Sequence, residues 1–136
     1  MKEVIILYGG NSDEYKISEL TANSIYKHID REKFSAVLID LNDFKIDKID
    51  RNSIIFIAIH GAGGEDGEIQ KILTEEEIAF TGSDQKSCKN CWNKIRSKKI
   101  LLDNQLPTPE YIVAGKDKKI KADNIFLNHK DGFFVK

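Results

Sequence analysis

The sequence predicts an α/β domain with a parallel sheet covered by helices on both faces, followed by the beginning of a second domain. Apolar, strand-like runs alternate with segments of helical spacing as far as residue 105. The first run, residues 4–8, is continuously apolar, which is typical of a strand buried on both faces of a parallel sheet. Glycine-rich segments follow the first and third runs, where ligands bind in this class of fold.

The remaining strands are predicted from further apolar runs. They lie at residues 34–40, 54–59 and 78–81. The polar stretch 42–52 between the second and third strands predicts a loop with a short helix.

Helices are predicted from apolar residues at helical spacing. In the first helix, capped by Ser12 or Asp13, four residues are expected on the inner side: Ile17, Leu20, Ile25 and Ile29. A short helix is marked by Ile69, Ile72 and Leu73. A longer helix at residues 84–104 is expected to bury Cys88, Cys91, Trp92, Ile95 and Leu102.

Two prolines mark the predicted domain boundary. Pro107 and Pro109 end the long helix, because proline lacks a backbone donor and restrains the residue before it. We therefore predict a first domain at residues 1–105 and a second that begins at residue 106 and is truncated at residue 136.

Composition excludes several classes of partner. The chain has 21 basic and 22 acidic residues, a net charge of −1, so neither nucleic acid nor an anionic membrane is indicated. No apolar stretch approaches the roughly 20 residues needed to span a bilayer, and residues 1–10 carry no signal-peptide pattern. The sequence therefore predicts a cytoplasmic globular protein.

Cys88 and Cys91 form a single C-x-x-C pair. Their spacing fits one face of a helix, whereas a thioredoxin-type pair would lie at a helix start directly after a strand. One pair also supplies only two of the four ligands of a structural zinc ion. We interpret both cysteines as packing residues, with redox chemistry and metal binding as the alternatives, and predict no metal site.

Two loops are candidates for a ligand site. Gly9 and Gly10 follow the first strand and precede a helix start, where free backbone N–H groups bind anions, but the same residues also suit a structural turn. His60 follows the third strand and is succeeded by Glu65 and Asp66 between glycines. A positioned histidine and a solvent-facing histidine in a glycine-rich connection are both compatible with this pattern.

The motif His60-Gly61-x-x-Gly64-Glu65-Asp66-Gly67-x-Ile69-Gln70 resembles the signature of D-alanine–D-alanine ligases, members of the ATP-grasp superfamily. Further motifs agree with the family in order and spacing, at residues 7–18, 55–59, 80–83, 94–98, 106–109 and 134–136. The likeness covers nearly the whole chain but only the first part of a typical member. It implies a Rossmann-like pre-ATP-grasp domain followed by the start of an ATP-grasp domain.

The resemblance also implies a reaction. The family forms an acyl phosphate from one D-alanine and ATP, which the amine of a second D-alanine attacks to give the peptidoglycan dipeptide. Such chemistry requires positive charge, Mg²⁺ and a rigid substrate site. D-alanine and ATP are thus the implied partners, a homodimer is compatible with the family, and the magnesium ligands belong to a carboxy-terminal domain that this chain lacks.

Roles for individual residues follow from the resemblance alone. His60 would lie near the first D-alanine, and Glu65 is similar to a signature acid that helps to hold the catalytic site together. Lys94 and Lys136 would contact the phosphates of ATP. The loop that covers the substrate ammonium would contain Gly9, Gly10, Glu14, Lys16 and Ser18.

Three residues depart from the family pattern. Lys16 stands where an acid commonly receives the substrate ammonium, Asn93 replaces an aspartate, and Lys71 takes the place of a small residue. A reversed charge in a desolvated site opposes binding of the same ligand. The alternatives to a working ligase are therefore a related ligase with another amino-acid substrate and a catalytically inactive binding module.

Overall fold

The computed structural model describes residues 1–115. The sequence also predicts strands after the two prolines, at residues 111–113 and 133–135. The first of these forms no strand in the structure, and the second lies outside the described residues. The chain divides into two compact units, Met1–Trp92 and a second that begins at Asn93. The division predicted from the sequence, 1–105 and 106–136, stays a prediction.

The first unit is built on a four-stranded parallel sheet. Its strands are β1 (Lys2–Tyr8), β2 (Phe34–Asp40), β3 (Ile54–Ile57) and β4 (Ala79–Phe80), in the order β2-β1-β3-β4. β1 pairs with β2 along its whole length and with β3 from Val4 to Leu7. The sequence placed β2 correctly to the residue and found the other three strands with small differences at their ends.

The described residues contain four α-helices, three in the first unit and one in the second. They are α1 (Tyr15–His28), α2 (Glu68–Glu75), α3 (Gln85–Trp92) and α4 (Lys94–Asp103), and a short 3-10 helix lies at Ile46–Lys48. The short helix confirms the prediction for the polar stretch 42–52.

Alternate residues of the strands form a core on each face of the sheet, as the two-residue repeat of a strand requires. On one face Val4 and Ile6 pack with Ala22 of α1. On the other face Ile5 and Leu7 pack with Leu73 of α2. The predicted α/β fold with helices on both faces of a parallel sheet is therefore confirmed.

The inner side of α1 differs from the prediction. Ile25 and Ile29 pack against the sheet, but Ile17 and Leu20 are 51% and 67% exposed. The buried residues of this helix include Ser18. Small residues lie at the contact because α1 approaches the end of β3 closely enough for the Ser18 hydroxyl to bond its backbone.

The prediction of one long helix at residues 84–104 is wrong. The helix is interrupted at Asn93, which is extended and caps α4 by accepting a hydrogen bond from the Arg96 amide at 3.0 Å. The expected buried face is absent as well, because Cys91, Trp92, Ile95 and Leu102 are all exposed. A local side-chain cap thus outweighed the helical periodicity of the apolar residues.

Candidate functional site

The loops after β1 and β3 begin at the same edge of the sheet. The chain leaves β1 toward β2 on one side, whereas β3 lies on the other side of β1. The order of strands therefore reverses between β1 and β3, and open α/β sheets bind ligands at such a point. Both loops predicted from the sequence to carry function start there.

Ser18 joins the two loops directly. Its side chain is fully buried, its hydroxyl accepts a hydrogen bond from the Gly9 amide at 2.8 Å, and it donates to the Ala58 carbonyl at 2.8 Å. Gly9 adopts φ +81°, and an added Cβ would approach Asp40 to 2.6 Å. The position therefore requires glycine, and the backbone turn beside Ser18 is fixed.

Ser12 forms a second connection between the loops. Its hydroxyl donates to the His60 carbonyl at 2.8 Å and accepts from the Glu14 amide at 3.3 Å. Glu14 is the N-cap of α1, with no side-chain cap, so the predicted cap by Ser12 or Asp13 is wrong. The Glu14 carboxylate lies beside Gly61, where an added Cβ would meet its Oε2 at 2.8 Å.

The imidazole of His60 contacts α1. Its Nε2 lies 3.1 Å from the Thr21 hydroxyl, and the residue is only partly buried. His60 thus has a fixed backbone, through Ser12, and a ring contact, through Thr21. The structure favours a positioned histidine over one that projects freely into solvent. Sequence reasoning missed Thr21, although it lies three residues after Ser18 and hence on the same face of α1.

The glycine-rich loop is stabilised by Asp66. Its carboxylate accepts hydrogen bonds from the Gly63 amide at 2.7 Å and the Glu68 amide at 3.0 Å. Glu65 is exposed, and its amide donates to the Gly61 carbonyl at 3.0 Å. Of the two acids in this loop, Asp66 therefore organises it, which the sequence analysis did not anticipate.

Gln70 also stabilises this loop. Its side-chain amide donates to the Gly64 carbonyl at 2.6 Å, and the residue is only 4% exposed. Gly64 in turn packs tightly on Ile59, because an added Cβ would lie 2.5 Å from the Ile59 Cβ. The loop that carries His60 is thus tied to both β3 and α2.

Tyr15 and Asp40 form a hydrogen bond next to Gly9. The phenol donates to Asp40 Oδ2 at 2.6 Å, and this bond is the main cause that raises the pKa of Tyr15 to about 12. Partial burial opposes ionisation of Asp40, but hydrogen bonds from Tyr15 and from backbone amides outweigh it and lower its pKa. The Asp40 carboxylate at the end of β2 is therefore occupied by hydrogen bonds from Tyr15 and from backbone amides.

Curated relatives match most of this chain. A protein from Methylacidiphilum infernorum is 35% identical over 122 residues, which are 90% of this chain and 40% of the relative. Another, from Bacillus cereus, is 34% identical over 124 residues, 89% of this chain and 41% of the relative. Both are named as D-alanine–D-alanine ligases. This chain is similar to their amino-terminal part.

Solved structures agree with that similarity. The Bacillus anthracis D-alanine–D-alanine ligase in complex with ATP has a TM-score of 0.80 and 31% identity, over 92% of this chain and 44% of the ligase. No family model matches the chain. The chain spans about two-fifths of the length of the curated ligases it matches. The resemblance inferred from the His60–Gln70 motif is confirmed.

The position of Lys16 bears on the first departure from the ligase pattern. Its side chain is 79% exposed and forms an ion pair with Glu19 at 2.9 Å, one turn further along α1. Lys16 is therefore separate from the connections that Ser12 and Ser18 make between the two loops. The Glu14 carboxylate, by contrast, lies beside Gly61 of the His60 loop.

The predicted ATP lysines belong to the second unit or lie outside the described residues. Lys94 is exposed in the first turn of α4, directly after Asn93, and Lys136 lies outside residues 1–115. Lys71, the third departure, is exposed and pairs with Glu75 at 3.8 Å on α2. Within the first unit, the structure therefore brings Gly9, Glu14, Ser18 and His60 together.

Three further observations concern cysteine, metal and membrane. Burial raises the pKa of the Cys88 thiol, which disfavours the thiolate that redox chemistry needs. Within residues 1–115, no three His, Cys, Asp or Glu side chains converge as metal ligands. In the same range, no helix is both long and apolar enough to cross a membrane.

Proposed function

We propose that this chain is the amino-terminal, substrate-binding part of an ATP-dependent D-alanine–D-alanine ligase. The observation that carries the proposal is the Ser18 bridge, which joins the loops after β1 and β3 through hydrogen bonds of 2.8 Å to Gly9 and Ala58. This bridge makes a rigid site at the reversal of strand order, and a rigid site is what alignment of two amino acids for ligation demands.

In this proposal the first D-alanine binds between the two loops. His60 contacts its reacting carboxyl group, and the Gly9 and Gly10 backbone covers its ammonium end. Glu14 supplies negative charge close to His60, Ser18 holds the loops together, and Lys16 lies at the rim. Glu65 helps to maintain the catalytic loop. The products would be the D-alanyl dipeptide, ADP and phosphate, with the acyl phosphate as the intermediate.

ATP and Mg²⁺ belong to the same proposal. Lys94 and Lys136 would contact the phosphates of ATP, and ATP would activate the first carboxyl group by phosphorylation. Residues 1–115 offer no set of metal ligands, so in this proposal Mg²⁺ is bound outside this part of the chain. A cytoplasmic location and a homodimer complete the proposal, together with domains at residues 1–105 and 106–136.

A chimera provides the test. Residues 1–136 are joined to the corresponding carboxy-terminal part of the Bacillus anthracis ligase, whose fold matches this chain with a TM-score of 0.80. We expect D-alanine-dependent phosphate release and dipeptide formation, both reduced at least about 100-fold by His60→Gln, as when one transition-state donor is removed. The exposed His28→Gln is the matched control. Residues 1–136 alone should release no D-alanine-dependent phosphate.

Lys16 defines the second candidate function, an ATP-dependent ligase with another amino-acid substrate. Its ammonium group is solvent-exposed on the first turn of α1 and suits a substrate carboxylate better than an ammonium. In the chimera, a gain of D-alanine use on Lys16→Glu supports a D-alanine site weakened by this lysine. A folded chimera that forms no dipeptide with either residue contradicts the D-alanine assignment, and screening other amino acids then tests the second candidate.

A further inference from the structure

Two hydroxyl side chains of α1 reach the segment after β3. Ser18 bonds the Ala58 carbonyl at 2.8 Å, and Thr21 Oγ1 lies 3.1 Å from His60 Nε2. The two residues share one face of the helix because they are three positions apart. Threonine is branched at Cβ and has few rotamers within a helix, so the Thr21 hydroxyl is a well-defined point against which the imidazole can be held.

The partners available within the protein favour one direction for this hydrogen bond. Within residues 1–115, the Thr21 hydroxyl has no acceptor other than His60 Nε2. A hydroxyl without a partner loses a hydrogen bond that water would otherwise supply. Donation from Thr21 satisfies this group only if Nε2 carries no proton. In neutral imidazole the proton then resides on Nδ1.

We propose that Thr21 is a positioning residue that donates its hydroxyl proton to Nε2 and thereby holds neutral His60 in its Nδ1–H form. This inference rests on the proposed function in one respect, namely that His60 faces a substrate. The backbone of His60 is fixed independently, because its carbonyl accepts from Ser12 at 2.8 Å. Backbone and ring of His60 are therefore each held by a residue that follows β1.

The protonation state determines what His60 can do. With Nε2 occupied by Thr21, the nitrogen available to a ligand is Nδ1, which makes no hydrogen bond within the described part of the chain. An Nδ1–H group donates to an oxygen that carries negative charge, such as a carboxylate or an acyl phosphate. His60 would then stabilise charge on the substrate as a hydrogen-bond donor, and it would not remove a proton as a general base.

The test is spectroscopic and needs no substrate. Residues 1–136 are labelled with ¹⁵N-histidine, and the two ring nitrogens of His60 are read at about pH 9, above the ordinary imidazole pKa of about 6.5. We expect the protonated nitrogen to be Nδ1. Thr21→Val should lower the ratio of Nδ1–H to Nε2–H roughly fivefold, the factor that one ordinary hydrogen bond contributes. Thr21→Ser should restore the ratio.

Thr74→Val is the matched control. Thr74 also lies on a helix, and its hydroxyl donates to the Gln70 carbonyl at 2.7 Å, so its removal costs a similar bond without touching His60. The inference is overturned if His60 carries its proton on Nε2 in the unsubstituted chain, which requires no variant to fold. It is also overturned if folded Thr21→Val leaves the ratio unchanged. Neither result depends on dipeptide formation by the chimera, so failure of the ligase proposal is recognised separately.

Discussion

The Gly9 amide donates a hydrogen bond to the buried Ser18 hydroxyl, although the two residues are nine positions apart and the start of α1 lies between them. The same hydroxyl donates to Ala58, so a single side chain satisfies two backbone groups from different loops. Burial leaves no water to replace either bond. The arrangement explains why a serine occupies a position of α1 that a core would otherwise fill with an apolar residue.

Ser18→Ala should therefore lower the free energy of unfolding by about 2 kcal/mol, because it leaves buried backbone groups without a partner. Urea denaturation of the two chains measures the difference. Ser24→Ala, at an exposed position of the same helix, should change it by less than about 0.5 kcal/mol. A loss at position 18 no larger than that of the control would contradict the role given to this hydroxyl.

Gly64→Ala should destabilise the loop that carries His60. An added Cβ lies 2.5 Å from the Ile59 Cβ and 2.6 Å from its carbonyl oxygen, and the backbone must shift to accept it. Overpacking of this kind costs about 1–3 kcal/mol, measurable as a lower midpoint of urea denaturation. Gly115→Ala is the control, since no atom of residues 1–115 lies within 4 Å of its added Cβ. Equal midpoints for the two variants would refute the close packing at Gly64.

Tyr15 should ionise at a higher pH than an ordinary phenol. The folded protein raises its pKa from 10 to about 12, so its protonated form is favoured by folding. The resulting stabilisation is complete below pH 10 and is lost as pH rises through about 12. A near-ultraviolet absorbance titration should show one tyrosine ionising in this range, and Tyr15→Phe should remove that step.

Asp40→Asn tests the cause of this shift. It removes the carboxylate that accepts from the phenol, and we expect the late step to move back toward pH 10. Tyr26→Phe changes an exposed ring elsewhere on α1 and should leave the step in place. If the step survives Tyr15→Phe, another group is responsible.

Asn93→Ala should weaken α4 by about 1 kcal/mol, because the Asn93 side chain caps this helix. Hydrogen exchange of the Arg96 amide reports the loss, since that amide donates to Asn93 at 3.0 Å. Asn93→Asp, which restores the residue common in ligases, should keep or improve protection because a carboxylate also favours a helix start. Faster exchange in the aspartate variant would show that capping is not the role of this side chain.

The sequence predicted the sheet better than the helices. Continuous apolar runs such as residues 4–7 of β1 identify strands of a parallel sheet directly, since both faces are buried. Helical periodicity was less informative, because Ile17 and Leu20 fit the repeat and yet are exposed. The decisive inner residue, Ser18, is polar, and its burial depends on backbone groups of other loops that no local pattern reveals.

The candidate site was predicted only in part, because some of its contacts join segments that are distant in the sequence. The loops and His60 could be found because glycines and polar residues follow buried strands. The contact between Thr21 and His60 joins residues 39 positions apart. Lys16 is exposed and forms its ion pair with Glu19 on the same helix. The Lys16–Glu19 pair has the local spacing of neighbours on a helix, whereas the contact between Thr21 and His60 has no signature in residue spacing.

The central place of β1 has a consequence for the order of folding during synthesis. β1 is made first, but its partner β3 begins only at Ile54, so the ribosome must add about 50 residues before the pairing can form. At roughly 5–20 residues per second, this interval lasts several seconds. Ile5 and Leu7 cannot pack against core partners such as Ile55 and Leu73 until those residues have been synthesised. The central strand of the sheet therefore stays without part of its core for several seconds after it is synthesised.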